Sequence, residues 1–407
     1  MKFANLRQNQ MKLIDYMEVN GYSRIYIRMV KSEISHILDH EKNNTWESYY
    51  DIYEDYTDTS KSYRRMVGKA TIIGLIANFD LYDLYPNSQN RHRLWDRTAY
   101  GKLHFEFKEL VDYYLSISNN SIVKGDNVHK EVSILSNFLL FLQNLGCNHL
   151  DAITEKQVLS YFSNDGVNPT KSAGTKNALR RMFCACSGYS ATCNILASFC
   201  PPIHNRRKNI QYITETETEI LKSKMADGIV SIRDKAILCL LLYLGLRACD
   251  IASLTFHTFD WKTDKICLYQ NKTGVPIELP LLPIVGNAVF DYITKERPAS
   301  NAENIFLGIS CPHSPLTPKG ISNITSAVLI KSGIRLNPTD RKGTHIFRHR
   351  LATSMLMEGI SQPVITKALG HVAPDSLEPY LHADFLHLKE CSISIESYPV
   401  SEEVFMI

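Results

Sequence analysis

Cationic side chains that could grip an oxyanion, and one phenol that could attack it, gather in the second half of this 407-residue sequence. Arg247 follows the apolar run of residues 236–246 and stands three positions before Asp250. Gly245 should end one helix, so Arg247 would begin the next, where free N–H groups and the helix dipole favour an anion. A surface ion pair with Asp250 is the competing reading. Lys272 lies in the short stretch Asn271-Lys272-Thr273-Gly274 between two β-rich runs. His345 and Arg348 are three apart in Gly343-Thr344-His345-Ile346-Phe347-Arg348-His349-Arg350, so they share one helical face, with Thr344 as the expected N-cap. Leu351, Ala352, Met355 and Leu356 should anchor that helix in the core until Gly359 ends it. Ser361 and Pro363 open a further helix that Gly370 closes, which leaves His371 just beyond it. Asp375 or Ser376 would then cap a turn leading to Tyr380.

Arginine can give a phosphate two parallel hydrogen bonds, and preorganised donors of this kind are worth roughly 3 kcal/mol each in rate. A tyrosine, with an ordinary pKa near ~10, attacks only once its proton is removed or its phenolate stabilised. A covalent phosphotyrosine would split one phosphoryl transfer into two reversible steps. Singly, each residue has a plainer explanation. Histidines are more often hydrogen-bonded core or surface groups than catalysts, a helical tyrosine usually packs, and a basic run is usually a solvated face. Their joint order carries the reading. No cluster of carboxylates suggests a Mg²⁺ site and no Walker-type glycine loop appears, so neither metal nor nucleotide is expected as a cofactor.

The elements that must position these groups fall into three blocks. Residues 1–100 are helical in pattern and rich in tyrosine and charge; Tyr26, Arg28, Lys31, Arg64, Arg65 and Lys69 could contact DNA or be purely structural. Residues 101–208 form a second helical block with its linker. In it Val132, Leu135, Phe138, Leu139 and Leu142 make an apolar stripe that Gly146 stops, and Thr154 with Gln157 has capping-box form. Lys176, Arg180 and Arg181 put charge on one helical face, and Leu179-Arg180-Arg181-Met182 faintly echoes Tyr63-Arg64-Arg65-Met66. Pro201-Pro202 and Arg206-Arg207-Lys208 read as the linker. Residues 209–407 hold the two convincing strands, Ile266-Cys267-Leu268-Tyr269 and Val275-Pro276-Ile277-Glu278-Leu279. The fold class is therefore mainly α with a small β-sheet (α+β).

A net charge of +3 is permissive of nucleic acid without requiring it. No apolar leader opens the chain, and its longest apolar run, eleven residues, is too short to span a membrane. Ten cysteines then read as reduced thiols of a cytoplasm. The spacing of Cys184, Cys186, Cys193 and Cys200 invites a zinc reading but matches no pair of CxxC units, and Leu179, Met182 and Phe183 mark a packed helix instead.

In their order these stretches resemble the tyrosine recombinase (phage integrase) family. Leu244-Gly245-Leu246-Arg247-Ala248-Cys249-Asp250 is similar to its first-arginine box, and Lys272-Thr273-Gly274 followed by Leu279-Pro280-Leu281 to its lysine hairpin. Gly343 to His349 resembles its His-x-x-Arg box and Leu369-Gly370-His371 its Leu-Gly-His box, with Tyr380 nine residues later in the nucleophile's place. Ser376-Leu377 departs from the usual Ser-Thr, and Pro379 directly precedes the tyrosine, which suits a helix only in its first turn. The resemblance is strong over residues 212–390, moderate over 103–200 and faint over 1–100.

It implies helical N-terminal domains, a recombinase-type catalytic domain, and a catalytic set of Arg247, Lys272, His345, Arg348, His371 and the nucleophile Tyr380. Lys272 would protonate the leaving 5′ oxygen, His345 assist proton removal, and His371 donate to the phosphate, the two histidine roles being open to exchange. DNA would be clamped by Lys171, Lys176, Arg180 and Arg181 on one side and Arg341, Lys342 and Arg350 on the other, mostly through phosphates. Expected partners are double-stranded DNA, a homotetramer on synapsed sites, with room for an accessory DNA-bending or directionality factor, and no membrane. The apolar tail from Phe385 to Ile407 would pack on its own domain or dock on a neighbouring protomer. A type IB topoisomerase-like relaxing enzyme and a catalytically silent DNA-binding regulator are the alternatives, and a metal-dependent nuclease lacks its carboxylates. Expected surroundings are a bacterial cytoplasm, at the nucleoid.

Overall fold

The structure, a computed structural model, describes residues 3–41, 46–57, 63–87, 98–119, 125–163, 170–203 and 211–370. By internal contacts the chain divides into two units, Met1–Met17 with Ser23–Arg207, and Lys208–Ile407 together with the turn Glu18–Tyr22.

The first unit is helical among its described residues. It opens with α1 (Ala4–Val19), α2 (Arg24–His40), α3 (Tyr49–Thr57) and α4 (Tyr63–Tyr82). Leu13, Met17, Val30, Ile34, Ile37, Ile52, Ile73, Ile76 and Phe79 are buried along them. Among these, Glu33 is also buried; it accepts from the Tyr56 hydroxyl at 2.9 Å and pairs with Lys69, whose ammonium lies 4.0 Å over the Tyr56 ring. Lys69, partly exposed, thus takes the structural of the two roles open to it, because a buried carboxylate needs a compensating cation.

Helices α5 (Phe105–Asn119), α6 (Gly125–Asn144), α7 (Glu155–Phe162), α8 (Ala173–Ala185) and α9 (Thr192–Ser198) share a second core. The expected stripe lies on α6, and Leu135, Phe138, Leu139 and Leu142 are fully buried. Gly146 follows at φ +88°. Gln157 accepts the Thr154 N–H at 2.8 Å, as the capping box requires, and Ser172 caps α8 by accepting from Thr175 N at 3.1 Å. Cys186 and Cys193 belong to this core, where burial pushes their thiols up to about 12 and about 11.

The second unit is built on α11 (Ile232–Leu244), which follows α10 (Glu215–Ala226). Leucines on every side of α11 are buried, the pattern of a central helix rather than a surface one. It packs against α13 (Pro283–Lys295), α14 (Pro318–Lys331) and α15 (His345–Met357). Each fully buried leucine contributes about 1.5–3 kcal/mol. Between α12 (Ala248–Ala252) and α13 lies an antiparallel sheet in the order β1 (Phe259–Asp260), β2 (Lys265–Tyr269), β3 (Pro276–Pro280). The β2–β3 register pairs Ile266 with Leu279 and Tyr269 with Pro276. The short β1 was not anticipated, since two residues carry no alternation to read. The last described helix is α16 (Gln362–Leu369), closed by Gly370 at φ +60°.

Gly245 ends α11 at φ +58°, and a Cβ there would stand 2.9 Å from Leu351 Cδ2. Gly228 has φ +72° with nothing within 4 Å of its would-be Cβ. In denaturant titrations of the full-length protein, Gly228→Ala should lose about 1 kcal/mol, from left-handed strain alone. Gly245→Ala should lose about 2–3 kcal/mol, strain plus overpacking.

Candidate active site

Arg247 is the N-cap residue of α12, as expected, but its side chain is only 10% exposed, which rules out the surface ion pair. Nη1 donates to Gln270 Oε1 at 2.5 Å and stands 4.0 Å from Asp250 Oδ2. Asp250 is fully buried, and its Oδ1 accepts the Asn271 N–H at 2.9 Å. Asn271 Nδ2 in turn donates to Cys249 O at 3.0 Å and Ser253 Oγ at 2.7 Å. These bonds tie the mouth of the β2–β3 hairpin to α12 and leave Lys272, the next residue, exposed.

Arg348 is buried on α15, and Ile346 and Phe347 beside it root the helix in the core. Its Nη1 donates to Gly245 O at 3.0 Å and its Nη2 to Leu369 O. The guanidinium therefore joins the C-terminal ends of α11 and α16. Thr344 does occupy the N-cap position of α15, but its backbone is helical (φ −59°, ψ −24°) and its hydroxyl makes no capping bond. The cap expected of that side chain is absent because an N-cap hydroxyl reaches the helix from an extended backbone.

His345 opens α15 and retains solvent exposure. Desolvation by the protein around it, then the charges of Arg348, Lys272, Arg247 and Arg341, hold its pKa below the ordinary imidazole value. Burial and these four charges all favour the neutral imidazole. The His349 ring centroid lies 6.2 Å from that of His345, and burial first, then His345, Arg341 and Arg348, lower its pKa to about 4.

Gln270 was missed by the sequence reading. It is buried, with Oε1 also accepting from Thr273 Oγ1 at 2.9 Å and Nε2 donating to Leu369 O at 3.0 Å. A signal existed: Ile266 and Leu268 point inward, and the next residue in that register is a glutamine. His371 and Tyr380 lie outside the described residues, as do Ser376, Pro379 and the tail from Phe385.

The residues expected to meet DNA divide between the two units. In the first, Arg180 and Arg181 line a groove of about 1150 Å³ with Lys130, Glu131 and Tyr114, and Lys176 lies on the same helix, α8. Arg181 pairs with Glu131 at 2.5 Å, and the Lys171 ammonium lies 4.6 Å over the Tyr161 ring. In the second, Arg341 is exposed, Lys342 Nζ donates to Asn337 O at 2.8 Å, and Arg350 pairs with Glu215 at 2.5 Å. Arg181 and Arg350 would have to exchange carboxylate for phosphate to take part.

Fold and site together define a class: a helical unit with a small sheet, in which a buried arginine, a second, largely enclosed one and a lysine hairpin lie near a histidine. The phage integrase family model matches residues 211–387. A protein of Sinorhizobium fredii named as an integrase/recombinase, y4gC, is 32% identical over 170 residues, covering 42% of this chain and 86% of that protein. The chain spans about two fifths of y4rA, a second such protein from the same bacterium, at 33% identity. The tyrosine recombinase XerC of Natranaerobius thermophilus is 21% identical over 304 residues, 70% of this chain and 96% of XerC. In fold, the chain resembles a lambda integrase dimer bound to a COC′ core site (TM-score 0.53, 16% identity, 78% and 87% of the two chains). It likewise resembles the XerH site-specific recombinase bound to palindromic difH substrate (TM-score 0.52, 17% identity, 72% and 95%). The chain belongs to the phage integrase family of tyrosine recombinases, enzymes that cut and rejoin DNA strands. No described helix is long and apolar enough to cross a membrane.

The half-buried His349 gives the fold a pH dependence. Unfolded, the imidazole takes up its proton near pH ~6.5; folded, only near about 4. The unfolded state binds more protons in between, so stability falls as pH drops through that window. His349→Gln should flatten the fall in guanidinium midpoint from roughly pH 6.5 to 4 and change little at roughly pH 8. An unchanged slope would mean the ring is solvated.

Proposed function

We propose that this protein is a site-specific recombinase of a mobile element that cuts and rejoins double-stranded DNA through a 3′-phosphotyrosine on Tyr380. One observation carries the reading. Arg247 and Arg348, from different helices, are linked through the Gln270 amide and the Leu369 carbonyl, and Lys272 is exposed on the same hairpin, just ahead of the segment that holds His371 and Tyr380. A guanidinium has five N–H donors. The carbonyls at Gly245 and Leu369 hold Arg348 through Nη1 and Nη2 and so fix the plane of the guanidinium. Arg247, held by Gln270, supplies the second clamp. Together they offset the charge that grows on phosphorus-bound oxygens as the phenolate attacks. Lys272, exposed at the hairpin mouth, protonates the leaving 5′ oxygen. A neutral His345 is suited to take the Tyr380 proton, and His371 to hydrogen-bond the phosphate.

Lys171, Lys176, Arg180 and Arg181 from the first unit and Arg341, Lys342 and Arg350 from the second clamp the duplex, chiefly at phosphates. Three domains, 1–100, 101–208 and 209–407, divide the labour, the first being an accessory DNA-contacting or regulatory element. Exchange of four strands needs four nucleophiles, so the working unit is a homotetramer on synapsed sites, with an accessory DNA-bending or directionality factor where the element requires one. The work is cytoplasmic, at the nucleoid.

Two experiments, on nicked suicide duplexes drawn from DNA flanking the gene, test the reading. Tyr380→Phe should abolish the covalent protein–DNA adduct and leave DNA affinity unchanged, since only a hydroxyl is removed; an adduct persisting in the mutant would move the nucleophile elsewhere, with Tyr398 the next to test. Lys272→Ala should slow cleavage about 100-fold or more, and a 5′-bridging sulfur should restore it because that leaving group needs no proton. Arg348→Ala should not be rescued, and equal rescue of both would refute the division of roles.

A further inference from the structure

The neutral Gln270 amide bonds to three parts of the site: Arg247 at the start of α12, Thr273 in the hairpin and Leu369 at the end of α16. Its backbone closes the hairpin, N–H to Val275 O at 2.9 Å and O from Gly274 N at 2.8 Å, which fixes where its side chain starts. Inside, Oε1 holds Arg247 Nη1 and Thr273 Oγ1, and Nε2 holds Leu369 O. The same Leu369 carbonyl accepts from Arg348 Nη2, so one amide and one carbonyl link the two arginines. Gly370 keeps room for this arrangement, since a Cβ there would stand 2.5 Å from the Gln270 amide atoms. We propose that Gln270 is a positioning residue that sets Arg247, the Lys272 hairpin and the exit of α16 against one another, so that both guanidinia and the lysine address one phosphate together. The proposal takes from the recombinase reading which phosphate is meant; the bracing is a property of the folded chain.

The chemistry of an amide suits the place. It is buried, so every polar atom it presents needs a partner, and it must accept from a cation on one side while donating to a carbonyl on the other. A carboxylate could accept from Arg247 and Thr273 but would set a lone pair against Leu369 O. It would also neutralise the arginine charge meant for phosphate. Leucine fills the same space and leaves Arg247 and Leu369 O without this partner. Thr273 adjoins Lys272, so displacing the hairpin tip would break the Thr273 bond and pull on the atom that orients Arg247.

The test compares full-length wild type with Gln270→Leu and Gln270→Glu. In single-turnover cleavage of the suicide duplex, Gln270→Leu should be slowed about 100-fold with DNA affinity unchanged. Gln270→Glu should be slow at high pH and recover as pH is lowered from roughly 8 to 5.5, since the protonated carboxyl is neutral and regains a donor. Simple packing loss would not produce that pH profile. Without DNA, amide exchange in Gln270→Leu should rise about tenfold in peptides covering 268–276 and 366–370 and stay unchanged elsewhere. Cleavage by Gln270→Leu close to wild type, or exchange unaltered at both segments, overturns the proposal. Exchange raised throughout the second unit also overturns it, by making Gln270 a packing residue. If wild type itself forms no adduct, the recombinase reading fails, and the exchange data decide the bracing separately.

Discussion

A guanidinium can be buried only where its donors are met, and Arg348 meets two of them with the carbonyls of Gly245 and Leu369. Both acceptors are backbone atoms at the C-terminal ends of helices, which expose unsatisfied carbonyls and carry partial negative charge. The glycine requirements follow from this. Each helix must stop abruptly and turn left-handed for its carbonyl to face inward, and Gly245 and Gly370 do so at φ +58° and +60°. Removing the arginine would take a donor from both carbonyls, leaving Leu369 O to Gln270 Nε2; removing either turn would leave a buried charge. The rest of the site is arranged around that junction.

Rigidity is distributed unevenly about it. Arg247 and Arg348 are enclosed, and α11 fixes both from a core it fills on every side. Lys272 sits outside, on a hairpin anchored at its mouth by Asn271 and Asp250 while the ammonium remains exposed. Charge stabilisation benefits from donors that do not reorganise, whereas proton delivery tolerates a group that swings in. His345 lies between these regimes, exposed but held below its ordinary pKa by desolvation and then by the cations around it. The same cations that would attract a phosphate thereby keep the imidazole neutral.

The basic residues of the flanks are differently placed. Arg181 and Arg350 are paired with carboxylates and Lys342 with a carbonyl, so each would have to give up a partner to bind an external anion. Surface pairs of this kind are worth little, about 0–1 kcal/mol, and a polyanion can displace them readily. Lys69 differs in kind: its partner Glu33 is buried, and that pair belongs to the bundle.

Local rules were sufficient for much of this in the sequence. Apolar periodicity marked α6 and α15, glycines marked the ends of α11 and α16, and ordered boxes marked Arg247, Lys272, His345 and Arg348, because each signal depends on neighbours within a few residues. What followed from tertiary structure depends on partners far along the chain. Gln270 meets Leu369, ninety-nine positions away, so no window around residue 270 contains the reason for an amide there. The sequence leaves Arg247 open between an anion-binding helix start and a surface ion pair until Gln270 of the hairpin holds it, and Thr344 loses its cap to a backbone angle that its own sequence does not specify. Sequence determined which groups could do the chemistry; the packing of α11, α15, α16 and the hairpin decided which of them are desolvated and what holds them, since burial and long-range hydrogen bonds exist only once the chain has folded.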